Sequence, residues 1–168
     1  AIYPYKGPQV LIDAFSLVDL ACELAFMGPA EPVLLKELQH KAQFLNNKVT
    51  FLGFHSNVDA FMQKIDVLVI PSIAYESFGM VILEAMKHKK PVICSDYGGM
   101  KEIVEEGVTG LIVPAGDNVA LANAMSNLLS DEPLMRQMGE NGYRRLNCLF
   151  TSSRMVAQYE DLLKGNDI

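Results

Sequence analysis

The sequence predicts a single doubly wound α/β domain, Rossmann-like, built on a parallel sheet with helices on both faces and further helices at the C-terminal end. Three observations carry this. Short apolar segments alternate with helical ones along the chain. Those apolar segments are continuous rather than alternating with polar residues, as strands covered on both faces must be. The 168 residues are 50% hydrophobic and 20% charged, the balance and length of one folded domain with one core.

Taken in order, residues 7–18 (GPQVLIDAFSLV) place apolar side chains at helical spacing, and ELAFMG at 23–28 is a short strand-like run stopped by Gly28 and Pro29. Residues 31–46 carry Leu34, Leu35, Leu38, Ala42 and Leu45 along one helical face, and the β-branched and aromatic VTFLG follows at 49–53. The beat continues with a helix over 58–64, a strand at 66–72 (DVLVIPS), a helix over 79–88, a strand at 91–96 (PVICSD), a helix over 100–106, a strand at 109–113 and three helical stretches. Strands alternating with helices pair in parallel. No Gly/Ser-rich linker, low-complexity tract or fixed-period repeat interrupts the beat, so one domain is expected over 1–168. In such folds the first strand is central, with later strands on both sides of it. Here only residues 1–5 precede the first helical segment, so the chain is expected to be part of a longer enzyme.

Composition excludes several classes. The formal net charge is −6 and no run of Lys or Arg exceeds two residues, which disfavours nucleic acid and anionic membrane surfaces as partners. No apolar run approaches the roughly 20 residues of a spanning helix, and the opening AIYPYKG lacks the apolar stretch of a signal peptide, so a cytoplasmic location is expected. Cys22, Cys94 and Cys148 form no CxxC and are expected as reduced, buried thiols. His40, His55 and His88 share no spacing with other ligand types, so no metal site is expected. Met80, Met86, Met125, Met135 and Met138 lie among apolar helical positions and are expected in the core.

Ligands of open parallel sheets bind beyond the carboxyl ends of the strands. Of the loops there, the one in PSIAYESFGMVILEAM (71–86) is the most informative. Gly79 opens a helix whose first amides are free donors with the positive end of the helix dipole behind them, a receptor for phosphate. Glu84 lies among Met80, Val81, Ile82, Leu83, Ala85 and Met86, so it is expected to be buried, where a carboxylate must find donors. Helical side chains lean toward the N-terminus, so Glu84 can reach toward the rim at Gly79, where a pair of ribose hydroxyls would satisfy it. Plainer readings stand beside these. Glu76 can be a loop carboxylate favoured by a helix N-terminus, Glu84 a structural pair, Lys6 a solvated charge, and Gly98-Gly99 a tight turn. Ser72 and Ser77 can cap amides and are given no chemistry.

The run E-S-F-G-M-V-I-L-E, two glutamates separated by seven residues, resembles the E-x7-E signature of retaining glycosyltransferases with two Rossmann domains, family 4 in particular. Lys6-Gly7 resembles the family's Lys-Gly pair, VTFLGF its nucleobase strand, and PVICSDYGGMKEIVEEGVTGLIVPAGD the segment after the signature. The resemblance covers nearly the whole chain and identifies it with the family's C-terminal, donor-binding half. It implies that Glu76 contacts hydroxyls of the transferred sugar and that Lys6 contacts the diphosphate. It further implies that amides at Phe78, Gly79 and Met80 hold sugar and diphosphate, with Ser77 and Val81 completing that stretch, that Glu84 takes the ribose, and that Gly53 and Phe54 frame the base. Catalysis would then rest on Glu76 and Lys6, the substrate would be a nucleotide sugar, and neither cofactor nor metal is expected. The acceptor, a sugar, lipid or small molecule, would be met by an N-terminal domain with a catalytic histidine that has no counterpart in this chain. Alone, the chain is expected to bind donor and scarcely turn over.

Two departures from the family's pattern stand out. The Arg found about five residues before the family's Lys falls on Ala1, and small residues after E-A-M are replaced by Lys87-His88-Lys89-Lys90, a solvated helix end favoured by the dipole. Three other functions are alternatives. A glycoside hydrolase needs carboxylates facing each other across the sugar, usually with aromatic platforms, and Trp is absent here. A non-catalytic nucleotide-binding module fits the same fold. Phosphorolysis with pyridoxal phosphate needs a cofactor lysine that no segment suggests.

Overall fold

The structure is a computed structural model that describes residues 1–164 apart from Tyr75 and Phe78, and describes residues 157, 158 and 162 by their backbone alone. A 3-10 turn at Pro4–Lys6 leads through Gly7, at φ +66, into α1 (Pro8–Phe15). There follow β1 (Glu23–Met27), α2 (Pro32–Ala42), β2 (Lys48–Gly53), α3 (Val58–Met62), β3 (Leu68–Ile70), α4 (Met80–Lys87), β4 (Val92–Ser95), α5 (Met100–Ile103) and β5 (Gly110–Val113). Three helices end the chain, α6 (Asn118–Leu129), α7 (Glu132–Leu149) and α8 (Ser152–Leu163). The helix starts are written locally. Glu31, Asn57, Asp117 and Asp131 each accept hydrogen bonds from amides of the first turn, and Pro32 and Pro133 occupy positions where a missing N–H costs nothing.

Every strand pairing is parallel, as expected, but the strands form two sheets, β1-β2 and β3-β4-β5. β4 is the buried centre. Ile93 joins one apolar cluster with α1, α2 and α6, while Val92 and Cys94 join a second with α4 and α5. This is the two-faced burial that continuous apolar strands imply. β3 is buried less well: Leu68 and Val69 remain half-exposed beside a groove of about 1190 Å³.

Some expectations are corrected here. Met80 stands 64% exposed at the first position of α4, whereas Met86, Met125 and Met138 are in the core. Cys148 is exposed and Cys22 only half-buried; Cys94 alone is fully enclosed. The basic end of α4 is not merely solvated. Lys87 and His88 both reach Asp59 of α3, at 2.9 and 2.6 Å, and Lys89 pairs with Glu140 of α7 at 2.8 Å.

Candidate functional site

The site forms where the loop after β3 meets the 3-10 turn at the start of the chain. The Tyr5 carbonyl accepts hydrogen bonds from the amides of Ile73 and Ala74 at 2.9 and 3.2 Å, fastening the turn to the loop. Gly7 makes the approach possible: a Cβ there would overlap the Pro71 carbonyl oxygen. The consequence is that Lys6 Nζ lies 2.5 Å from Glu76 Oε2. The Glu76 side chain is 10% exposed and that of Lys6 is 29% exposed, so the pair sits at a rim rather than in open water.

Ser72 completes the cluster. It is wholly buried, donates its hydroxyl to Glu76 Oε2 at 3.2 Å, and its own carbonyl accepts from the Ser95 hydroxyl at the end of β4. Sequence reasoning gave Ser72 no chemistry, yet it holds a Glu76 oxygen in place. The signal available was position: it closes the apolar run DVLVIPS, four residues before the glutamate. Gly98 supports the loop from the other side. At φ +65, with no room for a Cβ beside the Glu76 carbonyl oxygen, it is a turn glycine, and its tight turn braces the candidate site. A second recess, of about 530 Å³, is lined by Glu76, Ser77, Tyr97 and Gly98.

Gly79 caps α4 in the left-handed region at φ +81, and no side chain caps that end. The first amides of Met80 and Val81 therefore keep the partial positive charge of the helix N-terminus, on the groove that the Lys6 ammonium also borders. Both features favour negative charge in the groove. Lys6, Glu76, Gly79, Met80 and Val81 border the large groove together.

Other expected site residues fall elsewhere. Glu84 is exposed, because α4 buries Ile82, Ala85 and Met86 on one face and turns Glu84 to water; the expected burial, and the desolvation argument built on it, are corrected. Its carboxylate has no hydrogen bond or ion pair with another described residue. Gly53, at φ +70 with open space around it, and Phe54, 75% exposed, stand at the end of β2, outside the Lys6–Glu76 cluster. Ser77 is exposed in the loop, and Phe78 lies outside the described residues. Among the described residues no group of three or more His, Cys, Asp and Glu side chains is placed to hold a metal ion.

A parallel α/β fold in which the glutamate of a strand-to-helix loop pairs with a lysine of the turn before α1 defines a Rossmann-like domain. Residues 1–145 match the family model for glycosyl transferases group 1, and the chain belongs to that family. It is similar to N-acetyl-alpha-D-glucosaminyl L-malate synthase of Bacillus anthracis, with 34% identity over 161 residues, 94% of this chain and 42% of that protein. Among solved structures it is similar to Anabaena Alr3699/HepE in complex with UDP, with a TM-score of 0.91 and 30% identity over 98% of this chain and 46% of that one. The same protein in complex with UDP-glucose gives a TM-score of 0.89 and 31% identity, again over 98% and 46%. The chain thus spans less than half the length of these relatives.

Proposed function

We propose that this chain is the C-terminal, donor-binding domain of a retaining glycosyltransferase of family 4, spanning residues 1–168, and that it binds a nucleoside-diphosphate sugar for transfer to an acceptor hydroxyl. The single observation that carries the reading is the Lys6–Glu76 pair on the groove that the uncapped N-terminus of α4 also borders. The UDP and UDP-glucose complexes of HepE, similar in fold over 98% of this chain, support the same assignment.

In this reading the diphosphate lies against Lys6 and the amides of Met80 and Val81. Hydroxyls of the sugar exchange for Lys6 as partners of Glu76, while Ser72 keeps one Glu76 oxygen oriented. As the bond between the anomeric carbon and the diphosphate oxygen breaks, negative charge grows on the leaving group, where fixed donors already point. The acceptor oxygen attacks from the same face, and its proton passes to the departing phosphate oxygen, so no protein nucleophile is required. Lys6 and the helix N-terminus supply the positive charge that a metal would otherwise bring, so neither metal nor cofactor is needed. Glu84, with no hydrogen bond or ion pair to another described residue, takes the ribose hydroxyls, and Gly53 and Phe54 border the base. The acceptor belongs to a domain outside this chain. Unpaired cysteines suit a reducing, cytoplasmic setting.

The test is calorimetric titration of the chain with UDP, GDP and ADP, each repeated on Glu84→Ala. One diphosphate binding tightly, with affinity lost in Glu84→Ala, supports the reading and identifies the base. No binding to a folded chain by any of the three overturns it.

A further inference from the structure

Glu76 stands between two spaces. It borders the large groove together with Lys6, Gly79, Met80 and Val81, and it lines the smaller recess of about 530 Å³ together with Ser77, Tyr97 and Gly98. Among the described residues no other lines both. Its two oxygens are used unequally. Lys6 and Ser72 both donate to Oε2, at 2.5 and 3.2 Å, whereas Oε1 has no hydrogen bond or ion pair with another described residue.

The far wall of the recess is a loop anchored on three sides. The Ser95 hydroxyl donates to the Ser72 carbonyl, and the Gly98 backbone packs against the Glu76 carbonyl. Between them the Asp96 amide donates to the Val113 carbonyl at 2.8 Å, and the Asp96 carboxylate accepts from the Ala115 amide at 2.8 Å. Tyr97 lies among these anchors, yet its side chain is 39% exposed and its hydroxyl has no hydrogen bond to another described residue. An aromatic ring carried on a fixed backbone and open to solvent is a preorganised contact surface.

The chemistry of the walls limits what fits. Among the described residues the recess offers a carboxylate, a serine hydroxyl and a phenol but no cation, which suits a neutral polyhydroxyl group and disfavours a phosphate. A pyranose ring has both complements, a C–H face that lies on an aromatic ring and hydroxyls that donate to a carboxylate oxygen.

Resting on the donor-binding reading, we propose that Tyr97 is a specificity-determining residue for the transferred sugar, which lies in the recess with its ring against Tyr97 and one hydroxyl donating to Glu76 Oε1. A diphosphate held in the groove carries its sugar one bond away, and Glu76 is where groove and recess adjoin. Tyr97 therefore contributes to affinity for a nucleotide sugar and not to affinity for the nucleoside diphosphate alone.

The test is calorimetry on the native chain, Tyr97→Ala and Tyr97→Phe, comparing UDP with UDP-glucose and UDP-N-acetylglucosamine, GDP with GDP-mannose, and ADP with ADP-glucose. In the set that binds, Tyr97→Ala is expected to weaken the nucleotide sugar about three- to tenfold, and Tyr97→Phe, which keeps the ring, to retain its affinity. The diphosphate alone should bind all three proteins equally, which also shows that the variants fold. Equal loss for diphosphate and sugar in Tyr97→Ala, no loss for the sugar, or a loss in Tyr97→Phe as large as in Tyr97→Ala overturns the role of Tyr97 while the donor-binding reading stands. Binding of none of these ligands to the folded native chain overturns that reading and the proposal with it.

Discussion

Lys6 and Glu76, seventy residues apart in sequence, meet at 2.5 Å because two glycines let three loops close on one another. Gly7 brings the 3-10 turn against Pro71, and Gly98 brings the loop after β4 against Glu76. Each charge is the other's partner, and in the proposed function both become available together when a diphosphate and a sugar take their places.

Replacing Lys6 with Ala removes a charge-assisted contact to the diphosphate, which is expected to weaken binding about 10- to 100-fold, from ~1.5–3 kcal/mol. The fold should barely change, since partly exposed ion pairs contribute ~0–1 kcal/mol. Calorimetry alongside urea denaturation separates the two effects. Unchanged affinity in Lys6→Ala would remove Lys6 from the site.

Gly98→Ala should destabilise the chain, because its left-handed φ and the Glu76 carbonyl both oppose a Cβ. The expected loss is about 1–3 kcal/mol. Gly53→Ala has open space around the new methyl and carries only the backbone penalty of ~1–2 kcal/mol. Equal midpoints for the two variants in urea would contradict the packing described for the loop.

Thiol chemistry should distinguish the three cysteines. Burial pushes the Cys94 thiol up to about 12, with Glu106 and Asp96 adding to the shift, and the residue is fully enclosed. Cys148 is exposed. A water-soluble disulfide reagent at mildly alkaline pH should modify Cys148 quickly and Cys94 only on unfolding. Rapid modification of Cys94 in the folded chain would be inconsistent with the core.

The Asp59 carboxyl is held below its usual value by the hydrogen bond from His88, then by the hydrogen bond and charge of Lys87. A depressed folded-state pKa means that the link between α3 and α4 contributes at pH values above the unfolded value of 3.8 and is lost as pH falls through the lower, folded one. The stability gap between the native chain and Asp59→Asn should therefore narrow below about pH 4. A gap constant from neutral pH down to pH 2 would exclude the contact.

The alternation of strands and helices was legible because each element carries its own period and its own cap. Glu31, Asn57, Asp117 and Asp131 start helices, and the apolar run PVICSD becomes a strand buried on both faces. The Lys6-Gly7 pair and Glu76 fall on segments that the structure brings together. What failed is tertiary. The neighbours of Glu84 read as apolar all round, but helical rotation puts Ile82, Ala85 and Met86 inward and leaves Glu84 and Met80 in water. Ser72 looked like an ordinary capping serine, because nothing local records that its hydroxyl meets a carboxylate four residues on.

The most direct test of the central claim is a nitrogen-15 NMR titration of the chain with the diphosphate that binds in calorimetry. The account requires the largest shifts at the amides of residues 79–81 and at the turn carrying Lys6. Saturable shifts confined to another surface, with those amides unmoved, would place the ligand elsewhere and contradict the assignment of this site.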